Sequence, residues 1–234
     1  LHLRRLDLSR NQLVSLEETQ LSNLVNLRIL DVSFNPLKTM GSCVTLKHLY
    51  IVRAHYCSFS AISNIFPTSL QTLSIGRNPC RGPLPSHVFT LKKLHQLDAN
   101  HLQIKEIPPT ITALKYLQIL NLRDNSLTHL PSQIIDLKYL IELDVSENQF
   151  CDFPPEICAL SCLRSLNLAS NGLENLPTKI GQLESLLHLD LSHNRLKQLP
   201  SFQTIRQLSQ LDVSDNQLTD LHDSIFSLAH LRFL

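Results

Sequence analysis

Glycine is scarce in this sequence, with five residues in a chain of 234. That is too few for the glycine-rich loops that cradle phosphates. The chain also has no P-loop, no dinucleotide-binding glycine pattern, no nucleophile elbow and no zinc-protease helix motif. The sequence therefore predicts that this segment is not an enzyme and carries no cofactor, while a catalytic domain outside the segment stays open.

Long hydrophobic runs are absent as well. Charged or polar residues interrupt every leucine cluster, so no stretch reaches the roughly 20 apolar residues that a membrane-spanning helix needs. The net charge of +1 and the hydrophobic fraction of 43% favour a folded, soluble chain without bulk attraction to nucleic acid or membranes. Leu1 and Leu234 both fall within a repeated motif, so we expect the segment to be truncated at both ends.

Cysteine is sparse and scattered. The six cysteines are Cys43, Cys57, Cys80, Cys151, Cys158 and Cys162. They do not form the dense disulfide cluster that caps many extracellular repeat domains, and no asparagine begins an N-x-Ser/Thr sequon. The last three lie close in sequence without a fourth ligand, so no metal site is expected. These absences favour a reducing, cytoplasmic location; the alternative is a receptor fragment without its caps.

One phrase recurs along the whole chain. LRRLDLSRNQL begins at Leu3, LRILDVSFNPL at Leu27, LQILNLRDNSL at Leu117 and LSQLDVSDNQL at Leu208. With weaker copies assigned to starts at Leu46 and Leu94, the copies lie 19 to 24 residues apart, which is the period of a solenoid. A single short strand cannot bury its own leucines, so stacked copies are predicted to form one continuous parallel sheet.

The phrase L-x-x-L-x-L-x-x-N-x-L, whose residues we number as motif positions 1 to 11, resembles the signature of the leucine-rich repeat family. The resemblance implies an α/β horseshoe solenoid, with one parallel strand per repeat on the concave face and short helical or 3₁₀ turns on the convex face. We expect a single domain over residues 1–234 with ten to eleven repeats. Prolines follow the motif at Pro108, Pro131, Pro154, Pro177 and Pro200, which favours such turns.

The asparagine at motif position 9 recurs in eight copies and is expected to bond backbone groups of neighbouring coils. Two copies lack it, with Ala54 and Leu102 at that position. Loss of such an asparagine is expected to cost about 1 to 3 kcal/mol when buried backbone groups are left unpaired. The sequence thus predicts a local break in the hydrogen bonding at Ala54.

Charge divides the chain into a basic front and an acidic back. Residues 1–117 hold 13 Lys and Arg against 6 Asp and Glu, or +7, and residues 118–234 hold 8 against 14, or −6. Arginine beside exposed apolar and aromatic side chains is typical of interface hot spots. The predicted protein-binding residues on the concave face are Arg4, Arg5, Arg28, Phe34, Lys47, His48, Tyr50, Val52, Arg53 and Arg77. The predicted acidic concave surface consists of Glu142, Asp144, Glu147, Asp190, Asp212 and Asp215.

The sequence allows two interpretations of the predicted protein-binding residues in the basic front half. They form a binding site, or their side chains simply repack around a second repeat that is only 19 residues long. The recurring aspartate at motif position 5 is so common in the family that it is interpreted as part of the scaffold.

The later repeats follow the longer pattern LPxxIxxLxxLxxLxLxxNxL, which residues 176–196 fit throughout. This pattern is similar to the intracellular Ras-group subclass, which includes Ras suppressor, Erbin, Scribble and plant relatives. The resemblance implies an adaptor or scaffold in signalling that binds a protein such as a small GTPase or phosphatase. We expect a cytoplasmic monomer with no nucleic-acid or membrane partner. The alternatives are the regulatory repeat block of a larger enzyme (a GTPase-kinase, a phosphatase or a receptor-like kinase) and a fragment of an extracellular recognition receptor.

Overall fold

The computed structural model describes residues 2–61, 66–80 and 82–234. The strands are β1 Arg5–Asp7, β2 Ser15–Leu16, β3 Ile29–Asp31, β4 Thr39–Met40, β5 Ile51–Arg53, β6 Thr72–Ser74, β7 Gln96–Asp98, β8 Ile119–Asn121, β9 Glu142–Asp144, β10 Ser165–Asn167, β11 His188–Asp190 and β12 Gln210–Asp212. In these ranges ten strands form one parallel sheet, in the order β1-β3-β5-β6-β7-β8-β9-β10-β11-β12, and β2 pairs with β4 separately. The predicted solenoid with one parallel strand per repeat is confirmed.

The sheet register places equivalent leucines in one row. Each strand of the large sheet supplies motif positions 3 to 5, and the position-4 side chains pair in register, as Leu30 does with Leu6 and Leu120 with Leu143. From β3 to β12 this central side chain is buried, while its two neighbours in the strand mostly keep some exposure. Burial of each leucine stabilises the fold by about 1.5 to 3 kcal/mol, so the stacked repeats share one continuous core.

Short helices connect the strands on the return path. They are α1 Glu18–Leu21 and the 3₁₀ helices η1 Ser86–Thr90, η2 Pro109–Ala113, η3 Ser132–Asp136, η4 Pro155–Ala159, η5 Thr178–Gln182 and η6 Asp223–Ser227. A proline with extended backbone precedes each of η1 to η5, because its fixed φ suits the turn into a helix. The predicted 3₁₀ turns are confirmed for Pro108, Pro131, Pro154 and Pro177.

Pro200 departs from this series, because residues 201–209 contain no helix. The motif starts at Leu186 and Leu208 lie 22 residues apart, so this repeat is one residue shorter than the three before it. Phe202 is fully buried in the place of a helical turn. Its backbone N–H donates to Ser224 Oγ at 2.9 Å, which ties the shortened turn to the next repeat.

The third strand of the large sheet corrects our alignment of the repeats. Ile51 pairs with Ile29 and Val52 with Leu30, so the third motif begins at Leu49 and not at Leu46. Val52 therefore occupies motif position 4 and is fully buried, and its predicted place on the binding surface is wrong. The first four repeats start 24, 22 and 21 residues apart, so the 19-residue repeat, and the repacking ascribed to it, has no basis.

Ala54 does not interrupt the hydrogen bonding between repeats. It lies at motif position 6, where its N–H donates to Ser74 O at 2.8 Å and its carbonyl accepts from Asn78 Nδ2 at 2.8 Å. The predicted break at Ala54 is therefore wrong. Motif position 9 of this repeat is Cys57, whose Sγ lies 3.4 Å from Val32 O.

Cys57 can make only some of the hydrogen bonds that an asparagine makes at motif position 9. Burial raises the pKa of its thiol, so the thiol stays protonated at neutral pH and can donate a weak hydrogen bond. In the preceding repeat, Asn35 Nδ2 donates to three carbonyls and Oδ1 accepts from Leu13 N. A thiol offers one weak donor, so this junction has fewer bonds than its neighbours.

Leu102 does occupy motif position 9, as predicted, but its turn is rebuilt. Leu102 is buried, and both His101 and Gln103 have a left-handed backbone, with φ of 50° and 59°. Asn125 Oδ1 accepts from Leu102 N at 3.1 Å and also from Ile104 N at 3.0 Å. One asparagine thus satisfies two amides, and the leucine adds apolar contact instead of hydrogen bonds.

We expect opposite effects when an asparagine is placed at these two positions. Cys57→Asn should raise the free energy of unfolding by about 1 kcal/mol, because the amide can reach carbonyls equivalent to those that Asn35 bonds one repeat earlier. Leu102→Asn should lower it by about 2 kcal/mol, because a buried amide would replace apolar contacts in a turn whose bonds are already made. Urea unfolding of the two variants and the wild type measures both signs, and destabilisation by Cys57→Asn would contradict this interpretation.

Candidate functional site

The residue at motif position 8 has a left-handed backbone in each of the ten repeats that contribute a strand to the large sheet. These residues are Arg10, Phe34, Tyr56, Arg77, His101, Asp124, Glu147, Ser170, His193 and Asp215, with φ between 50° and 58°. From Arg10 to His193, the N–H of each donates to the next repeat, as Phe34 N does to His55 O at 3.0 Å. Their side chains therefore form a column just beyond the carboxyl ends of the strands.

Four consecutive members of this column stack on one another. Arg10 Cζ lies 4.6 Å from the centre of the Phe34 ring, and Phe34 stacks on Tyr56 with ring centroids 4.6 Å apart and 14° between the planes. Arg77 Cζ lies 5.0 Å from the Tyr56 ring centre on the far side. We call Arg10, Phe34, Tyr56 and Arg77 the carboxyl-edge ladder. Aromatic and cation–π contacts of this kind stabilise by about 0.5 to 1.5 kcal/mol each.

The ladder packs against His55 and is accessible to solvent. His55 meets the Phe34 ring edge-on, with centroids 5.3 Å apart, and its Nδ1 lies 3.3 Å from Ser33 Oγ. Tyr56 is 44% exposed, and both arginines are exposed. The ladder thus presents a preformed apolar surface with a guanidinium group at each end, which suits a partner with carboxylates flanking an apolar side chain.

The structure separates the predicted binding residues into groups. Phe34 and Arg77 belong to the ladder, and Arg5 and Arg53 lie on the sheet face, where Arg53 Nη1 is 3.9 Å from Asp31 Oδ2. Because this pair is part-exposed, it adds little stability.

The remaining predicted residues lie at the amino ends of the strands. Arg4, Arg28 and Tyr50 occupy motif position 2, so Tyr50 and Phe34 lie at opposite ends of their strands and are not neighbours. Lys47 and His48 form the turn before β5 and do not lie on the concave face, which corrects their placement. Their binding role stays a prediction.

Arg10, His55 and Tyr56 were absent from the predicted site. The misaligned third repeat placed Tyr56 at motif position 11, which is normally buried. A signal for the correct alignment was present, because Leu46 precedes Leu49 by three residues as Leu24 precedes Leu27.

On the acidic surface, most carboxylates have partners within the chain. Asp144, Asp190 and Asp212 each accept from the hydroxyl and the backbone N–H of a serine two residues on. Glu147 pairs with Arg123 at 2.5 Å, and Asp215 lies 3.2 Å from His193 Nδ1. The position-5 aspartates thus stabilise the turn after each strand, and Glu142 is left exposed on the face.

Asp98 differs from the other position-5 aspartates. Burial raises its pKa, although hydrogen bonds from Asn100 and the charge of His55 act in the opposite direction. For Asp212, the hydrogen bonds from Ser214 lower the pKa. The charged form of Asp98 is thus disfavoured in the folded state, whereas the charged form of Asp212 is favoured.

We expect Asp98→Asn to stabilise the fold at pH 7 and Asp212→Asn to destabilise it. A raised folded-state pKa means that stability is lost as pH rises through it, so the gain from Asp98→Asn is largest at neutral pH and shrinks in acid. A lowered pKa means that the contribution of Asp212 is lost as pH falls through it, so that loss also shrinks in acid. Asparagine fits position 5, because Asn121 and Asn167 already accept the turn amide there at 3.0 Å.

Unfolding in urea between about pH 2 and pH 7 tests both signs, because the contribution of Asp212 is lost only below the ordinary pKa of the carboxyl group and that of Asp98 changes above it. A loss of stability in Asp98→Asn at pH 7 would show that the ionised carboxylate is required.

Residues 2–61, 66–80 and 82–234 were searched for clusters of metal-ligating side chains, disulfides and membrane-spanning helices. These residues contain no group of three or more His, Cys, Asp or Glu side chains placed to hold a metal ion, and no disulfide joins the six cysteines. No helix in the same ranges has the length and apolar character needed to cross a membrane.

A parallel sheet of one short strand per repeat, with asparagines bonding adjacent coils, defines a leucine-rich repeat solenoid. Family models described as leucine rich repeat match residues 1–55 and 161–218 and residues 116–137. The chain belongs to the leucine-rich repeat family, a fold that is typically non-catalytic. The Ras-group subclass stays a prediction.

The chain is also similar to named proteins of known sequence or structure. Osteomodulin from Bos taurus is 30% identical over 130 residues, which cover 53% of this chain and 31% of osteomodulin. A plant peptide hormone receptor, RGFR1 in complex with RGF2, superposes with a TM-score of 0.81 and 26% identity over 99% of this chain and 39% of the receptor. The Toll–Spatzle complex of Drosophila, with a TM-score of 0.83 and 23% identity over 99% of this chain and 34% of that one, shows the fold alone. The chain thus spans about a third of the length of the curated relative that it matches.

Proposed function

We propose that this chain is a protein-interaction module that binds an extended, acidic polypeptide segment along the carboxyl-edge ladder and the adjoining front of the concave face. The observation that carries the proposal is the stack itself. Two aromatic rings lie between two exposed guanidinium groups on consecutive repeats. Tyrosine and arginine are the residues most enriched at binding hot spots, and here they are adjacent.

The electrostatics of the front half support an acidic partner. Residues 1–117 carry a charge of +7, and Arg4, Arg5 and Arg28 belong to the same two repeats as Arg10 and Phe34. A carboxylate can accept two parallel hydrogen bonds from one guanidinium, and the basic field attracts a segment of opposite charge before contact. The acidic back half would repel such a segment, so it favours one end of the solenoid as the site.

Preorganisation of the ladder supports binding with useful affinity. Binding is weakened when flexible side chains must be ordered, and long arginines are costly in this respect. In the ladder both arginines already stack on rings, and the rings are held by their left-handed backbone and by His55. The surface can therefore accept a ligand with little rearrangement.

We further propose that the parent protein is a cytoplasmic adaptor whose partner is a signalling protein such as a small GTPase or phosphatase. The lack of sequons and of disulfides between the six cysteines supports this location. The second candidate is a ligand-binding ectodomain, which the similarity to the plant peptide hormone receptor favours. Both candidates use the same polypeptide-binding surface. The parent sequence on either side of this chain separates them, since a signal peptide and cysteine caps would favour the receptor.

Selection of random peptides displayed on phage against the immobilised chain tests the proposed function. We expect the selected peptides to be acidic, with at least one aromatic or aliphatic residue between carboxylates, and to bind less tightly as salt concentration rises. Selection of basic peptides, or of none above the background of an unrelated repeat protein, would overturn the proposal.

A further inference from the structure

A second surface lies at the amino ends of the strands, opposite the carboxyl-edge ladder. From the second repeat onward, each repeat enters its strand through a two-residue turn, and these turns are stacked along the sheet edge. In three consecutive repeats the turns are Lys92–Lys93, Lys115–Tyr116 and Lys138–Tyr139. We call these six residues the amino-edge ledge.

The aromatic rings of the ledge form a regular row. His95, which follows the first turn, lies beside Tyr116 with ring centroids 6.4 Å apart and 24° between the planes. Tyr116 and Tyr139 follow at 6.2 Å and 21°. The two tyrosines are 54% and 55% exposed, so these large rings remain open to a ligand. They rank among the large apolar side chains that the described part of the fold leaves in solvent.

The charge of the ledge is of one sign and is not neutralised within the chain. None of its four lysines forms an ion pair with any residue of the described ranges, and all four are exposed. Between Val25 and Arg164 no residue in a strand-entry turn or at motif position 2 is acidic. The acidic residue nearest to Lys138 along the chain is Asp136, at the end of η3. The ledge therefore presents a line of positive charge across three consecutive repeats.

We propose that the amino-edge ledge binds single-stranded nucleic acid. Cations at successive repeats follow the sheet edge at the spacing of adjacent strands, about 5 Å. A linear polyanion fits such a line better than a compact anion does. In the second and third turns a lysine and an exposed tyrosine occur side by side, so each of these repeats offers one charge for a phosphate and one ring face for a base. Positive charge that follows the backbone, with aromatic platforms for the bases, is how proteins hold single strands without sequence preference.

The expected lack of a nucleic-acid partner rested on the overall charge of +1. The ledge is a local surface at the edge of the sheet. Its charges come from residues about one repeat apart, so total composition conceals them.

Fluorescence anisotropy with a labelled oligouridylate of about 10 nucleotides tests the proposal. We expect Tyr116→Ala/Tyr139→Ala to weaken binding about tenfold or more while leaving the salt dependence unchanged, because stacking is removed and charge is not. Tyr116→Phe/Tyr139→Phe should bind like the wild type. Lys115→Gln/Lys138→Gln should weaken binding and reduce the slope of log affinity against log salt by about 0.7 for each phosphate that is no longer neutralised.

Matched controls distinguish nucleic-acid binding at the ledge from general attraction between opposite charges. Lys105→Gln/Lys179→Gln removes two exposed lysines outside the ledge and should bind almost like the wild type. Heparin provides a polyanion without bases. Equal loss of heparin and oligonucleotide binding in the lysine variant, with no effect of the tyrosine variant, would overturn the proposal in favour of a simple polyanion surface. Peptide binding at the carboxyl-edge ladder should be unchanged in all ledge variants, so the two proposals fail independently.

Discussion

Asn148→Ala is expected to lower the free energy of unfolding by about 3 kcal/mol, the largest stability effect that we predict for a single polar residue of this chain. Asn148 Nδ2 donates to Leu122 O, Val145 O and Ser146 O, each at 3.0 Å. Its Oδ1 accepts from Leu127 N at 2.9 Å. The side chain is buried, so alanine would leave four backbone groups without this partner.

Asn11→Ala is the matched control. Asn11 occupies the same motif position, but it is exposed and its amide reaches only Leu8 O and Ser9 O of its own repeat. Because water can replace these bonds, we expect a loss below about 1 kcal/mol. Urea unfolding at equilibrium measures both, provided that the solenoid unfolds in one transition. Equal losses in the two variants would show that the asparagines act only within their own turns.

Phe34→Gly/Tyr56→Gly is expected to weaken binding of a selected acidic peptide by about 30-fold or more, which corresponds to about 2 kcal/mol for loss of hot-spot residues. Glycine is chosen because motif position 8 has a left-handed backbone. A non-glycine residue is strained there by about 1 kcal/mol, so glycine removes the ring and relieves the strain together. The binding loss should therefore appear without loss of the fold.

Ser170→Gly supplies the control for this pair. Ser170 has the same left-handed backbone, with φ of 53°, but lies in the back half, between Glu147 and His193 in the column and outside the carboxyl-edge ladder. We expect it to bind the peptide like the wild type and to be at least as stable. Isothermal titration calorimetry compares the three proteins. Unchanged affinity in Phe34→Gly/Tyr56→Gly would exclude the carboxyl-edge ladder as the binding surface.

The solenoid could be predicted from the sequence because the residues that determine it recur along the chain. Leucines at fixed spacing need a shared core, and prolines such as Pro131 or Pro154 fix the turns that return the chain. For the third repeat, the leucine pattern left the starting residue ambiguous. Leu46 and Leu49 each begin an acceptable apolar pattern, and the strand pairing of Ile51 with Ile29 decides for Leu49, in agreement with the spacing of Leu24 and Leu27.

The candidate site was harder to predict than the fold. Phe34 and Arg77 were identified because exposed aromatic and cationic residues are recognisable by type, but the partners in the stack depend on which repeat positions are adjacent. A shift of three residues was sufficient to hide Tyr56 and to place the core residue Val52 on the surface. The row of Tyr116 and Tyr139 was missed for another reason, because the predicted surface was the concave face and not its edge.

Photo-crosslinking tests the central claim most directly. An acidic peptide selected on the chain, carrying a benzophenone between its carboxylates, is irradiated in complex with the wild type, and the modified residues are mapped by mass spectrometry. The account predicts crosslinks in residues 31–36 and 53–58, which contain Phe34 and Tyr56, with competition by the unlabelled peptide. Crosslinks confined to the acidic back half, beyond residue 118, would contradict it.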